Sequence, residues 1–312
     1  MSCPRSVAGQ VLTDRSGGPD RSISPIGIGS WQAGGPGPWG GGPTADDARV
    51  TAAIRSAVER GVTWIDTAPS YGLGHAEQVV AEALLPWQIG EDVFVFTKCG
   101  HPWTDDTPTT CLQPESIRSE VEGSLRRLRV DRLDMVQFHH PDPGVPVEES
   151  WGALGDLVAE GKVRWCGLSN FPVELLDRCA AIRPVDAVQP ELSLLRQSAL
   201  DTVVPWCRVH RTTVLAYSPL ASGELARADP NETGLTPADR RVVMAVAQLA
   251  AGLGTSPAAV AVAWVLAQGV AAICGARSPE QVQEWVTAGE LVLPADRLAQ
   301  ALSTGIRGEE VE

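Results

Sequence analysis

Lysine and tyrosine are among the scarcest residues in this sequence of 312 amino acids. Two of its 25 basic residues are lysine, Lys98 and Lys162, and the rest are arginine. It has only two tyrosines, Tyr71 and Tyr217. A composition that favours arginine so strongly makes each retained lysine, and each of the two phenols, a candidate for a specific role.

Long apolar runs and paired cysteines are absent as well. No run of 18 apolar residues predicts a bilayer span, and the first residues lack the apolar segment of a signal peptide. The seven cysteines are an odd number, and none forms a CxxC pair or shows zinc-finger spacing with histidine. We therefore expect reduced thiols in a cytoplasmic protein. Since no HExxH or three-histidine pattern appears either, no metal is predicted.

Positive charge is also in short supply, with a net charge of −13. Nucleic acids and anionic membrane surfaces are bound by basic faces, so neither is predicted as a partner. The sequence leaves the oligomeric state open.

Short apolar runs alternate with amphipathic helical patterns along the whole chain. Eight such β/α units without a composition break predict an α/β protein with one domain over residues 1–312, a (β/α)8 TIM barrel. A doubly wound sheet is the alternative. Residues 6–24 are predicted to form an N-terminal hairpin and residues 294–305 a C-terminal extra helix. The predicted strands are Ile26–Ile28, Val62–Ile65, Val93–Phe96, Leu133–Phe138, Val163–Leu168, Val185–Val188, Val214–Ala216 and Ala271–Ile273.

The stretch from Gly35 to Gly40 matches GxGxxG, the fingerprint of dinucleotide-binding Rossmann domains. That site needs backbone N–H groups at a helix start, and Pro36 and Pro38 have none. The next helix is predicted to begin only after Thr44, with Asp47 completing a capping box. A loop at the barrel mouth is therefore the better interpretation.

Polar residues follow every predicted strand, which is where the active site of a (β/α)8 barrel lies. Asp66 and Tyr71 follow the second strand, Lys98 the third, and His139 with His140 the fourth. A nearby ammonium stabilises a phenolate and lowers the phenol's pKa, and a carboxylate beside the lysine keeps it charged. A histidine next to them can hydrogen-bond a carbonyl oxygen. Each residue taken singly also has an ordinary structural explanation, but the set predicts an acid–base centre that protonates a developing alkoxide.

Such chemistry requires a hydride donor, and the later strand ends suit a nicotinamide nucleotide. Ser169, Asn170 and Gln189 offer partners for a carboxamide, and Tyr217 offers a ring for stacking. Arg277 precedes a helix predicted to start at Ser278-Pro279 with Gln281 in a capping box, an arrangement typical of a monophosphate site. The pyrophosphate is predicted to lie on a loop of small residues: Ser218, Pro219, Leu220, Ser222 and Gly223, with Gly275 following the eighth strand.

These motifs resemble the aldo-keto reductase family over nearly the whole chain. The resemblance rests on IDTAPSYGLGHAE (65–77), FTKCG (96–100), DMVQFHHPDP (134–143), GKVRWCGLSNF (161–171), VQPELSLL (188–195), AYSPLASGEL (216–225) and ICGARSPEQVQE (273–284). It implies a TIM barrel that uses NADPH, with NADH less suited, and a catalytic tetrad of Asp66, Tyr71, Lys98 and His139. The adenosine phosphate contacts that it implies are Arg277, Gln281 and Glu284.

Two positions depart from the family pattern. Cys274 stands where proline is common, and Trp285 stands where an asparagine that contacts adenine is usual. The departures concern adenine recognition and leave the predicted chemistry unchanged.

The predicted function is NADPH-dependent reduction of an aldehyde or ketone, with Tyr71 as proton donor. Two alternatives stay open: a specialised ketoreductase acting on a keto-sugar or secondary metabolite, and a non-catalytic NADPH-binding regulatory subunit. The predicted substrate contacts at the mouth are Trp31, Trp39, Trp103 and His140. The loop that carries Trp103 also brings His101 to the mouth.

Overall fold

Eight parallel strands close into a barrel in a computed structural model of the chain, which describes residues 9–13, 20–36, 46–104, 107–227 and 235–294. The closed barrel confirms the predicted fold class, and all eight predicted strands are present, with no end shifted by more than three residues. In chain order the barrel strands are β3 (Ile26–Gly29), β4 (Trp64–Asp66), β5 (Phe94–Cys99), β8 (Leu133–Phe138), β9 (Val163–Ser169), β10 (Ala187–Gln189), β11 (Thr213–Ala216) and β12 (Ala271–Gly275).

Helices surround the barrel between successive strands. Their apolar faces pack against the outer side of the strands, as the helical spacing predicted. The α-helices described are α1 (Asp47–Glu59), α2 (His75–Ala83), α3 (Pro114–Leu128), α4 (Val147–Ala159), α5 (Val173–Ala180), α6 (Val203–His210), α7 (Pro237–Leu253), α8 (Pro257–Ala267) and α9 (Pro279–Trp285).

The barrel interior is a separate apolar cluster whose largest side chains are aromatic. Trp64 stacks on Phe96 with ring centroids 5.3 Å apart, and Trp165 meets Phe96 edge-on. Leu12 and Ile23, from the antiparallel hairpin β1 (Gln10–Leu12) and β2 (Arg21–Ile23), belong to the same cluster. The Trp64 indole donates to the Ser24 carbonyl just before β3, so the hairpin closes the amino-terminal end of the barrel. The predicted hairpin is confirmed, and the carboxyl-terminal end is left for a site.

Some of the predicted helix starts need correction. The side chain that caps α1 is Asp46, which accepts the Arg49 N–H, while Thr44 lies outside the described residues. The Ser256 side chain caps α8 by accepting the Ala259 N–H. At α9, the Gln281 side chain accepts the N–H of Arg277 at 2.7 Å, one residue earlier than a capping box requires. The predicted helix at 294–305 lies almost wholly outside the described part of the chain.

Among the helices described, none is by itself long and apolar enough to cross a bilayer. The bent pair of α7 and α8 reaches the required length and composition together, with an angle of 101° between the two helices.

Candidate active site

A cavity of about 500 Å³ opens at the carboxyl-terminal end of the barrel. It brings together most of the predicted site residues, from strand ends that are far apart in sequence. The predicted residues that line it are Trp31, Asp66, Tyr71, His139, His140, Ser169, Asn170, Gln189, Tyr217, Ser218, Pro219, Leu220, Ser222, Gly223, Gly275, Arg277, Gln281 and Glu284.

Lys98 lies behind Tyr71 rather than in the cavity wall. Its ammonium is 2.5 Å from a carboxylate oxygen of Asp66, 3.0 Å from the Thr67 carbonyl oxygen and 3.4 Å from the Tyr71 hydroxyl. Both Lys98 and Asp66 are buried. Burial alone would lower the pKa of Lys98, but the Asp66 carboxylate and the contact with Tyr71 raise it above its usual value. Lys98 is therefore held as a cation directly behind the phenol.

Two buried amides fix the carboxylate of Asp66. Gln189 donates to its second oxygen at 2.8 Å, and Gln137 donates to the same oxygen at 3.3 Å. Gln137 lies on β8 and Gln189 on β10, two and four strands away from β4 around the barrel. The amide nitrogen of Gln189 is thus directed at Asp66, and its predicted contact with a nicotinamide stays a prediction.

The pKa of Tyr71 differs from the sequence-based expectation. Burial raises it, the Lys98 ammonium lowers it, and the Asp66 carboxylate raises it again, so that the pKa lies above the usual value. The expected lowering by Lys98 is present but is smaller than the effect of desolvation. In this arrangement the phenol keeps its proton at neutral pH and has a cation ready to stabilise the phenolate once the proton leaves.

His139 lies beside Tyr71, with the two ring centroids 5.7 Å apart. Burial and the nearby Lys98 charge hold the pKa of His139 well below its ordinary value. The imidazole is therefore neutral at physiological pH and can offer a hydrogen bond but not a readily released proton. Its Nδ1 is 3.4 Å from the Ser70 hydroxyl, a long contact.

The predicted carboxamide contacts form a connected chain of hydrogen bonds. Asn170 donates to the His139 carbonyl oxygen at 2.9 Å and accepts from the Tyr217 hydroxyl at 2.8 Å. Ser169 donates to the Gln189 carbonyl oxygen at 3.1 Å. Asn170 adopts a left-handed backbone conformation, with φ of 61°, which asparagine tolerates better than most residues. These bonds lock the positions of Asn170 and of the Tyr217 ring at the cavity wall.

The loop after β11 is tightly turned. Ser218, Ala221, Ser222 and Gly223 all have positive φ angles, and the N–H groups of Ala221 and Gly223 donate to the Ser218 and Leu220 carbonyl oxygens. A methyl group added at Gly223 would meet nothing within 4 Å, so the loop leaves open space beside it. Arg277 lines the same cavity, and its guanidinium rather than a helix terminus carries the charge there, because α9 has only seven residues.

The two departures from the family pattern lie in different environments. Trp285 lines the cavity but is buried, and its indole N–H has no hydrogen-bond partner among the described residues. The amide oxygen of Gln32, also in the wall, likewise lacks one within that part of the chain. Cys274 is buried within β12 and does not line the cavity, so it does not contact a nucleotide bound there. Unpaired polar atoms in a cavity wall fit a ligand that carries polar groups of its own.

The four predicted substrate contacts fall into three groups. Trp31 and His140 line the cavity. Trp103 does not; its ring lies 5.6 Å from the Arg127 guanidinium, in a short hairpin of β6 (Trp103–Thr104) and β7 (Thr107–Pro108). Its contact with substrate stays a prediction. Trp39 lies outside the described residues, as does most of the GxGxxG stretch.

Sequence reasoning did not identify Gln137 or Glu120. Gln137 is a polar residue within a buried strand, and that is the signal that could have revealed it. Glu120, on α3, accepts the backbone N–H groups of Gly100 and His101 and so shapes the loop after β5. Its only sequence signal is a carboxylate on the apolar face of a helix.

Comparison with known proteins agrees with this geometry. The sequence profile of the aldo/keto reductase family matches residues 25–303. The NADH-specific methylglyoxal reductase of Escherichia coli is 32% identical over 300 residues, which cover 86% of this chain and 90% of that protein. Both results extend over most of the barrel.

Solved structures give the same result. A glycerol dehydrogenase from Gluconobacter oxydans superposes with a TM-score of 0.82 at 31% identity, covering 97% of this chain and 98% of the other. An aldo/keto reductase from Klebsiella pneumoniae, solved with NADP and acetate, superposes with a TM-score of 0.76 at 28% identity, covering 97% and 98%.

Proposed function

Because this chain belongs to the aldo-keto reductase family, we propose that it reduces an aldehyde or ketone to an alcohol with a bound nicotinamide nucleotide. In this proposal Tyr71 is the proton donor. The observation that carries it is the Tyr71 hydroxyl in the cavity wall with the Lys98 ammonium 3.4 Å behind it. A buried phenol backed by a cation is suited to give its proton to an alkoxide.

The chain's own residues account for the acid–base part of the reaction. When bound, the reduced nicotinamide supplies the hydride that the carbonyl carbon accepts. The neutral His139 donates a hydrogen bond to the carbonyl oxygen and holds it near Tyr71. Tyr71 gives its proton to that oxygen as negative charge develops on it. Lys98 stabilises the resulting phenolate, and Asp66 keeps Lys98 charged and in place.

The residues of the cavity fit a nicotinamide nucleotide. Asn170, Ser169 and Tyr217 would hold the nicotinamide, and the backbone of the loop from Ser218 to Gly223 would hold the pyrophosphate. Arg277 would bind the adenosine phosphate, which favours NADPH over NADH. The solved relative with NADP supports this preference, whereas the NADH-specific relative supports the opposite one. We propose NADPH on the strength of Arg277.

The relatives also indicate which carbonyl compounds to test. One is named for methylglyoxal, a small α-oxo aldehyde, and another for glycerol, a small polyol. A panel should therefore contain small oxygenated aldehydes and ketones, a keto-sugar and an aromatic aldehyde.

The test is nucleotide consumption by the wild-type chain and by Tyr71→Phe over this panel. The wild type is expected to oxidise NADPH with at least one member. Tyr71→Phe is expected to lose most turnover, at least about 100-fold, while it still binds NADPH by fluorescence titration. Undiminished reduction by Tyr71→Phe would refute the assignment of the proton donor. Binding of NADPH without turnover of any compound would favour the non-catalytic regulatory subunit.

A further inference from the structure

Three of the chain's five histidines meet at the edge of the cavity. His139 and His140 follow β8 and line the cavity, and His101 follows the neighbouring strand β5. The ring centroids are 5.1 Å apart for His101 and His139, 5.1 Å for His101 and His140, and 5.0 Å for His139 and His140. The rings thus form a nearly equilateral triangle, which we call the histidine triangle.

The histidine triangle has the dimensions of a three-imidazole metal site. With Zn–N bonds of about 2.0–2.1 Å and tetrahedral angles, ligand nitrogens lie about 3.3 Å apart and ring centroids about 5 Å apart. One nitrogen of each ring lies within 4.8 Å of one nitrogen of each of the others. His101 Nε2 and His140 Nδ1 are 2.9 Å apart, so that pair would open slightly while the remaining distances close. Both changes require the imidazoles to rotate about their side-chain bonds.

The hydrogen bonds around His101 present the correct nitrogen for a metal. Its Nδ1 lies 3.1 Å from the Thr109 carbonyl oxygen and must donate to it, because a carbonyl only accepts. Its Nε2 is then unprotonated, and the lone pair of this nitrogen accepts the N–H of His140 Nδ1. A metal-ligating histidine commonly donates its other N–H to a backbone carbonyl in this way. The Glu120 carboxylate holds the His101 backbone N–H at 3.2 Å, which fixes the loop that carries the ring.

Access and local charge also suit a cation. The ion would enter through the cavity, which His139 and His140 line. The nearest lysine in the site, Lys98, is paired with the Asp66 carboxylate at 2.5 Å, which offsets part of its positive charge. The three imidazoles leave a fourth tetrahedral position that water can fill, as in an open zinc site.

We propose that the histidine triangle of His101, His139 and His140 binds a divalent transition-metal ion of the zinc type. Binding converts His140 from the Nδ1–H to the Nε2–H tautomer, so that all three imidazoles ligate as neutral groups. Bound metal occupies His139 and withdraws it from the substrate carbonyl, so Zn²⁺ inhibits reduction in competition with the carbonyl compound. The inhibition rests on the proposed reductase function, whereas the binding does not.

The binding is tested with Co²⁺, whose visible absorption reports tetrahedral or five-coordinate ligation, on the full chain without an affinity tag. One Co²⁺ per chain is expected, displaced by Zn²⁺. His101→Gln and His140→Gln should each weaken binding by more than about 10-fold. His75→Gln is the matched control, because His75 lies on α2 beside Asp47 and outside the triangle, and it should bind Co²⁺ like the wild type. Circular dichroism of each variant separates loss of a ligand from loss of the fold.

Two results would overturn the metal site. One is wild-type protein that shows no Co²⁺ band, or a band unchanged in both His101→Gln and His140→Gln. The other is a near-ultraviolet sulfur-to-cobalt charge-transfer band, which would place the ion on a cysteine. Because these readouts need no turnover, they stand even if no carbonyl compound is reduced. Where turnover is found, Zn²⁺ should raise KM for the carbonyl with little change in kcat, and a kcat effect alone would contradict competition.

Discussion

Lys98 and Lys162 carry the same charge in opposite surroundings. Lys98 is buried against Asp66, whereas Lys162 lies at the surface between Glu122 and Glu160. Removing one member of a buried ion pair leaves the other charge uncompensated and destabilises the folded state by about 3–5 kcal/mol. Exposed pairs contribute far less.

Lys98→Met should therefore lower the free energy of unfolding by several kcal/mol, while Lys162→Met should change it little. Urea unfolding of the two variants beside the wild type measures the difference. The control is matched because each substitution removes one of the chain's only two lysines. Equal destabilisation by both substitutions would mean that the Asp66–Lys98 pair is not buried as described.

Arg277 is the residue on which the proposed nucleotide preference depends. Its side chain lines the cavity beside Gln281 and Glu284. Arg277→Ser should raise the KM for NADPH by at least about 10-fold, which corresponds to the loss of one hydrogen bond to a charged group. The KM for NADH should stay nearly unchanged, because NADH lacks that phosphate. Steady-state kinetics with both nucleotides gives the comparison. If the KM values for NADPH and NADH change together, Arg277 does not bind the adenosine phosphate.

Glu120 makes stability depend on pH with a predictable sign. Burial raises the pKa of its carboxyl from 4.5 to about 7, although the N–H groups of Gly100 and His101 oppose the shift. The folded chain therefore keeps a proton that the unfolded chain loses above pH 4.5. The corresponding stability is fully present below pH 4.5 and is lost as the pH rises through about 7.

The wild type should accordingly lose up to about 3 kcal/mol more stability than Glu120→Gln between pH 4.5 and 8. Denaturant unfolding at both pH values measures this difference in slope. Comparing the change in stability between the two pH values cancels the contributions of other titrating groups, such as Asp134. It also cancels any pH-independent effect of the introduced glutamine on the contacts with Gly100 and His101. Parallel pH profiles for the two proteins would contradict the shift at Glu120.

At the scale of a secondary-structure element, strand β3 packs directly against the aromatic rings of the barrel interior at Gly27. A methyl group on Gly27 would come within 2.3 Å of the Trp64 ring, which is fully buried and stacked on Phe96. Gly27→Ala should therefore destabilise the chain by about 1–3 kcal/mol through overpacking.

Gly152 provides the opposite case within α4. A methyl group there would meet nothing within 4 Å, and alanine favours the helix by up to about 1 kcal/mol. Thermal unfolding should thus show a lower Tm for Gly27→Ala and an equal or higher Tm for Gly152→Ala. A neutral Gly27→Ala variant would indicate that the Trp64 ring is not fixed at that position.

For the whole molecule, the repeating pattern was sufficient to predict the barrel. Short apolar runs and period-3.6 helical faces are local features, and eight repeats of them allow few architectures. The strand at Leu133–Phe138 has the predicted limits. The proximity of Asp66, Tyr71, Lys98 and His139 follows from the predicted barrel, because closing a parallel barrel brings all the carboxyl-terminal strand ends together.

Contacts that depend on the register of the barrel strands could not be predicted from the sequence. Gln189 donates to Asp66 across 123 residues, and His101 meets His140 across 39. No local pattern encodes which neighbouring strand end a side chain faces, so neither the amides that hold Asp66 nor the histidine triangle was predicted. The net direction of the Tyr71 pKa was missed for a related reason, because its burial outweighs the nearby lysine.

The central claim is that a hydride reaches a carbonyl carbon in this cavity while Tyr71 supplies the proton. Its most direct test uses NADPH deuterated at the transferring position of C4, a carbonyl compound that the chain turns over, and mass spectrometry of the alcohol. The wild type is predicted to place one deuterium on the carbinol carbon, and Tyr71→Phe is predicted to form almost no labelled alcohol although it binds the nucleotide. Unlabelled alcohol from the wild type, or labelled alcohol from Tyr71→Phe at the wild-type rate, would contradict the account.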